Sequence, residues 1–178
     1  LKLLSDTRFQ FLVFFLGYIS DQITKFWAVA RFTDANGEQN YQKINVIGDL
    51  FRFQLAYNEG AAFSMKPQAL LPFLHPTLFF SIVSIIAITG LIWFYRTLPT
   101  KDWPSRLGVM LILSGALGNL TDRMHIHKVV DFIDVDFPDF IMHRWPTFNI
   151  ADSCVCVGVS LILISPVLFK KPKTEVLS

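Results

Sequence analysis

Apolar runs long enough to cross a bilayer, with aspartates in or beside three of the four, constrain this chain more than any other feature. Asp21, Asp122, Asp131 and Asp152 lie in or beside such runs, with Asp134 just behind. A carboxylate at membrane depth costs roughly 2.5–3.5 kcal/mol on insertion scales, so each of these residues demands a partner or a task. The runs cover about 9–31, 70–95, 106–120 and 148–169, against the ~20 residues a spanning helix needs. The third is short and must begin near Ser105 or run past Leu120. Composition agrees: 52% of residues are hydrophobic and 17% charged, where a soluble domain carries about 25% charged. The length of 178 residues accommodates one compact membrane domain, 1–178, and no large second one. The expected fold is therefore a mainly α membrane protein, with four transmembrane helices and a small extracytoplasmic antiparallel β-sheet.

Charge placement sets the orientation. Lys2 and Arg8 precede the first run, Arg96, Lys101 and Arg106 fill the short second connection, and Lys170, Lys171 and Lys173 follow the last run. The longer connections, about 32–69 and 121–147, are richer in acids. The positive-inside rule puts both termini in the cytoplasm and both long connections outside. Lys2, Arg8 and Ala28-Val29-Ala30 also resemble a cleavable signal peptide, but Asp21 and Lys25 interrupt the apolar stretch. The chain opens on Leu1 rather than Met, so its translational start is expected upstream. A net charge of only +2 argues against nucleic acid as a partner.

The first outer connection, about 32–69, reads as β-rich. Ile44–Ile47 and Leu50–Leu55 alternate around Gly48-Asp49, as an antiparallel ribbon would, and Asn58-Glu59-Gly60 reads as a turn. Such a ribbon is marginal alone in water, so its aromatics Phe51, Phe53 and Tyr57 are expected to lean on helices or membrane. Ser114 and Gly118 form a small-xxx-small face suited to close helix packing. Cys154 and Cys156 have no disulfide or zinc spacing and read as small buried hydrophobes. His125-x-His127 and the Asp131/Asp134/Asp136 run lack a metal-binding pattern, and acids so spaced in a loop read as a solvated face; no metal or other cofactor is expected.

Asp131 follows an apolar run beyond the third span, and Asp152 opens the fourth. Both fall at the outer hydrocarbon boundary, where antiparallel helices can bring them together. Two adjacent carboxylates share one proton, which supplies a general base and a general acid near neutral pH. Peptide hydrolysis by an activated water requires that arrangement. The alternative is that each aspartate caps a helix separately, since a first-turn carboxylate is electrostatically favoured; spacing leaves both readings open. Asp122 adjoins Arg123 and reads as a structural salt bridge, while Asp21 and Lys25, at i, i+4, read as an intramembrane pair.

The blocks Asp21-Gln22-Ile23-Thr24-Lys25, Asn58-Glu59-Gly60-Ala61-Ala62-Phe63-Ser64, Gly115-Ala116-Leu117-Gly118-Asn119-Leu120-Thr121-Asp122-Arg123, Val129-Val130-Asp131-Phe132 and Phe148-Asn149-Ile150-Ala151-Asp152 together resemble the lipoprotein signal peptidases, or type II signal peptidases. They fall in that family's order across about 130 residues. The resemblance implies a bacterial inner-membrane aspartyl endopeptidase with Asp131 and Asp152 as its catalytic pair. It implies supporting or substrate-binding roles for Asp21, Lys25, Asn58, Gly60, Asn119, Asp122, Arg123, Asn149 and Ala151. The implied substrates are prolipoproteins bearing a diacylglyceryl-modified Cys, met in the membrane phospholipid by a monomeric enzyme near the outer leaflet. Glu59 stands where the family usually has Thr, Ser114 where it usually has Gly, and the stretch from Asp131 to Asp152 is slightly longer than in many relatives.

Two other classes compete. A proton- or ion-conducting helical protein would stagger its acids across the membrane; here they cluster at the outer boundary, and the inner halves of the spans look nearly free of ionisable groups. A structural lipid-binding subunit would leave Asp131 and Asp152 unexplained.

Overall fold

The computed structural model describes residues 2–59, 75–136 and 144–168. Four long helices and three strands run in the order α1 (Thr7–Phe32), β1 (Lys43–Ile47), β2 (Phe51–Asn58), α2 (Pro76–Thr97), α3 (Trp103–Ile126), β3 (Val129–Val135) and α4 (Ile150–Leu168). Local chemistry sets the helix starts. Asp6 accepts the Arg8 amide at α1, Asp102 accepts the Ser105 amide at α3, and Pro76 and Pro104 sit in first turns where a missing N–H costs nothing. The α3 helix ends at His127 in the left-handed conformation.

These bounds refine the expected spans. The α1 helix matches 9–31 within a few residues, and α3 extends beyond 106–120 at both ends, reaching a spanning length of 24 residues. The expected start at 70 lies outside the described residues. Phe148 and Asn149 precede α4 instead of opening it. The α2 and α4 helices are long and apolar enough to cross a membrane; α1 and α3 have the length but are less apolar.

The α3 helix is central, packing on α1, α2 and α4. Small residues let it approach. A methyl added at Gly108 would stand 2.5 Å from the Gly158 carbonyl oxygen, and one at Gly158 the same distance from that of Gly108. A methyl at Gly115 would likewise collide with the Ala151 carbonyl oxygen, one at Gly118 with the Asp21 carboxylate, and one at Gly17 with the Ser114 hydroxyl. The small face of α3 thus serves α4 and α1 together. Cys156 is exposed and Cys154 only partly buried, which corrects their reading as buried hydrophobes.

The sheet has the order β1-β2-β3, antiparallel throughout. The 44–55 ribbon is present as expected. Its third strand comes from the second outer connection, where the sequence suggested only an apolar run. β3 is buried on both faces at Val129–Phe132, so it shows no alternation to read. Ala28, Phe32, Leu55, Val130 and Phe132 form a core that docks the sheet on the C-terminal end of α1. Trp27 meets Phe32, Phe53 and Phe132 edge-on at centroid distances of 5.4–6.3 Å.

Candidate active site

The site begins with an irregularity. Phe53 pairs with Ile133, but the next pair is Ala56 with Asp131, so β2 carries one extra residue there. Such a bulge bends the strand and re-aims side chains. It sets Asp131 beside Asn58, whose Nδ2 donates to Asp131 Oδ2 at 3.3 Å.

The chain entering α4 is tied to the same strand. Phe148 exchanges backbone hydrogen bonds with Ile133 at 2.8 and 3.0 Å, and the Phe132 amide also donates to the Phe148 carbonyl. Asn149 then caps α4 reciprocally: its Oδ1 accepts the Asp152 amide at 2.9 Å, and Asp152 Oδ2 accepts the Asn149 amide at 3.3 Å. This is a capping box with Asp in the usual Glu position. The helix-capping alternative thus holds for Asp152 and fails for Asp131, which lies within β3.

Asn149 also joins the two aspartates. Its Nδ2 donates to Asp131 Oδ1 at 2.8 Å, to the Val130 carbonyl at 3.2 Å and to Asn119 Oδ1 at 3.1 Å. Asn119 Nδ2 donates to the remaining Asp152 oxygen, Oδ1, at 2.8 Å. Asp131 is only 3% exposed. Burial first, and the Asp152 charge second, push its carboxyl up to about 7, against the opposing hydrogen bonds from Asn58 and Asn149.

Below the pair lies a second layer centred on Lys25. Its ammonium has three protons and finds three acceptors, Asp21 Oδ2, Asp122 Oδ2 and Asn119 Oδ1, each at 2.9 Å. Asp21 Oδ1 accepts the Ala151 amide at 2.8 Å, and Asp122 Oδ2 the Val130 amide at 3.0 Å. Each carboxylate therefore ties its own helix to the backbone beside one catalytic candidate: Ala151 next to Asp152, and Val130 next to Asp131. The expected i, i+4 pair is present, but the ion pair of Asp122 is with Lys25 and not with its chain neighbour Arg123. Arg123 donates to the Asn119 carbonyl at 3.3 Å, lies over the Phe80 ring, and faces the charges of Asp152, Asp122 and Asp131. Gln22, quoted in its block without a role, bonds Asp21, the Gly118 carbonyl and Asp122; its place beside Asp21 was the available signal.

Gly60 lies outside the described residues. Asp134, read as part of a solvated acidic face, is fully buried and paired with Arg52 and Arg144. Its role is to lock β2 to β3 and to the chain after them. Among the described residues no three His, Cys, Asp or Glu side chains converge on a common point. Beside Asp152 an apolar groove of about 390 Å³ runs between Val135, Trp145 and Phe148 on one side and Cys156 and Val157 on the other.

This arrangement presents two hydrogen-bonded carboxyl groups, one holding its proton to near neutrality, at the mouth of an apolar groove. Comparison with known proteins identifies the family. Residues 13–168 match the family model for signal peptidase (SPase) II. A lipoprotein signal peptidase of Geobacter sulfurreducens is 38% identical over 133 residues, covering 75% of this chain and 79% of its own. One of Clostridium novyi is 35% identical, covering 86% and 93%. A solved bacterial membrane enzyme superposes with a TM-score of 0.76 at 28% identity, over 95% of this chain and 93% of that one; a second gives 0.73 at 29%. The chain belongs to the signal peptidase II family.

Proposed function

We propose that the protein is an intramembrane aspartyl endopeptidase that removes the signal peptide from prolipoproteins, cutting before a diacylglyceryl-modified Cys. The observation that carries this reading is the linkage of Asp131 and Asp152 through Asn149 and Asn119. All four helices cross a bacterial inner membrane in this reading, with both termini cytoplasmic and the pair near the outer leaflet. Two features support it: the clustering of basic residues at one end, and the large exposed apolar side chains of α1, α2 and α4, such as Phe15, Ile86 and Leu163. The protein works as a monomer among phospholipids.

The pair shares one proton, held on Asp131 in the resting enzyme. Asp152 takes a proton from water as the water oxygen bonds to the scissile carbonyl carbon. Asp131 gives its proton to the carbonyl oxygen. The tetrahedral adduct then collapses: Asp152 passes its proton to the leaving amine, the C–N bond breaks, and a hydroxyl proton of the adduct returns to Asp131 as the new carboxyl group forms. Asn58, Asn119, Asn149 and Arg123 hold substrate polar groups, and the apolar groove beside Asp152 takes lipid or signal-peptide side chains. Asp21, Lys25, Asp122 and the Ala151 amide keep the pair in register.

A gel-shift assay on a diacylated prolipoprotein tests this. Wild type should cleave; Asp131→Asn and Asp152→Asn should each lose about 10²–10⁴-fold or more with an unchanged melting temperature in detergent. Near wild-type turnover by either folded variant would end the proposal.

A further inference from the structure

A second cavity has no part in this chemistry. It encloses about 400 Å³ between α1 and α2, with α3 as its floor, in the half of the bundle away from Asp131. Phe11 and Phe14 wall one side, Ile88 and Ile92 the other, and Met110 and Leu113 lie beneath. Arg96 stands at its end, in the last turn of α2. The Arg96 side chain is exposed and has no hydrogen bond or ion pair among the described residues. The acids nearest in sequence at this end are engaged as helix caps, Asp6 on α1 and Asp102 on α3.

We infer that this cleft holds one acyl chain of a phospholipid from the cytoplasmic leaflet, with its phosphate on Arg96. The charge fits: an uncommitted guanidinium at the mouth of an otherwise apolar slot matches a phosphate above a hydrocarbon chain. The size separates this occupant from a peptide. One turn of α-helix with its side chains fills roughly 400–600 Å³, so the cleft has room for about a single turn where a spanning segment needs five or more. A flexible acyl chain has no such minimum width. Because α1 and α2 each pack on α3 and meet each other at this end only through side chains such as Phe11, Gln10 and Tyr95, a lodged chain fills the space left between them. The inference rests on the membrane reading above, with the end of α2 that carries Arg96 facing the cytoplasm.

Native mass spectrometry on the full chain, released from nanodiscs of phosphatidylglycerol, tests it alongside Arg96→Glu and Ile92→Trp. The first variant reverses the charge at the mouth. The second fills the slot from an exposed position, so the fold is spared. Wild type should retain one phosphatidylglycerol per chain; Arg96→Glu should retain at least about fivefold less, and Ile92→Trp none. Equal retention by all three, or none by wild type, would overturn the proposal. So would photocrosslinking of the slot to the signal segment of a prolipoprotein in place of lipid. Membrane partition and cleavage are read on the same preparations. A bundle that stays out of membranes overturns the membrane reading and this proposal together, whereas a membrane-bound, active bundle without lipid overturns this proposal alone.

Discussion

Two buried polar clusters hold the bundle, one at each end, and they are built on opposite principles. At the end beside the sheet Lys25 is paired with two carboxylates, and Asp131 and Asp152 stand outside its ion-pair contacts in a chain of asparagines. At the other end the Arg106 guanidinium, 7% exposed, has only neutral hydrogen-bond partners. It donates to Gln10 Oε1, the Leu98 carbonyl, the Thr7 hydroxyl and the Tyr95 hydroxyl, and stacks 4.1 Å from the Tyr95 ring centroid. Its partners come from α1, α2 and the turn before α3, so it ties three helices. The neutral cluster has nothing to react with. The acidic one holds more carboxylate than its lysine can neutralise, and the excess is the pair proposed to do chemistry.

The sharpest way to break this contrast is to remove each cation. Lys25→Met strands two buried carboxylates and should cost about 3–5 kcal/mol. Arg106→Met strands only neutral acceptors, a loss of roughly 1.5–3 kcal/mol. Thermal unfolding in detergent should therefore rank Lys25→Met below Arg106→Met, and the reverse order would refute the distinction. Next comes Asp122→Asn, which keeps the shape but weakens the tie between Lys25 and β3. Its melting temperature should fall by more than its intrinsic turnover suffers; lost activity at an unchanged melting point would move Asp122 into the chemistry.

A smaller effect concerns pH. With the Asp131 carboxyl raised to about 7, the shared proton is present below that pH and lost above it, so kcat/KM should fall as pH rises through 7. Asn58 lowers that value through its hydrogen bond, so Asn58→Ala should move the falling limb to higher pH. A limb that stays in place, or moves down, would show that Asp131 does not carry it. Stability follows the same sign: the native state keeps a proton that the unfolded chain sheds near the ordinary value of 3.8, so stability declines as pH rises between the two. The least change is expected from Glu59→Thr, exposed just past the end of β2: turnover within about tenfold, roughly 1.4 kcal/mol of barrier. A far greater loss would enlist Glu59 in the mechanism.

The acidic end was largely legible in the sequence, because aspartates in apolar runs stand out against their neighbours. The helices followed from run length and the β1–β2 ribbon from its alternation around Gly48-Asp49. What escaped was decided by partners far along the chain. Val129–Val135 is covered on both sides, so nothing in its own pattern separates a strand from the tail of a helix. The partner of Asp122 is 97 positions away, while the charge adjoining it in sequence is Arg123. Arg106 sat among the basic residues of a short connection, as a membrane-flanking charge would, yet it is buried, and the half of the bundle away from Asp131 is not free of ionisable groups. Its acceptors are neutral and scattered over residues 7–98, which leaves no motif to recognise.

The hydrogen bonds of Phe148 to Phe132 and Ile133 have a mechanical consequence. The segment that launches α4 hangs from the strand carrying Asp131, with Asn149 as a fixed-length coupling between them. If a thinner or thicker bilayer tilts α4, the strand is drawn along with it, and the gap between the two carboxyls travels as a unit. The depth of the pair in the membrane then follows membrane thickness, while its internal gauge stays constant.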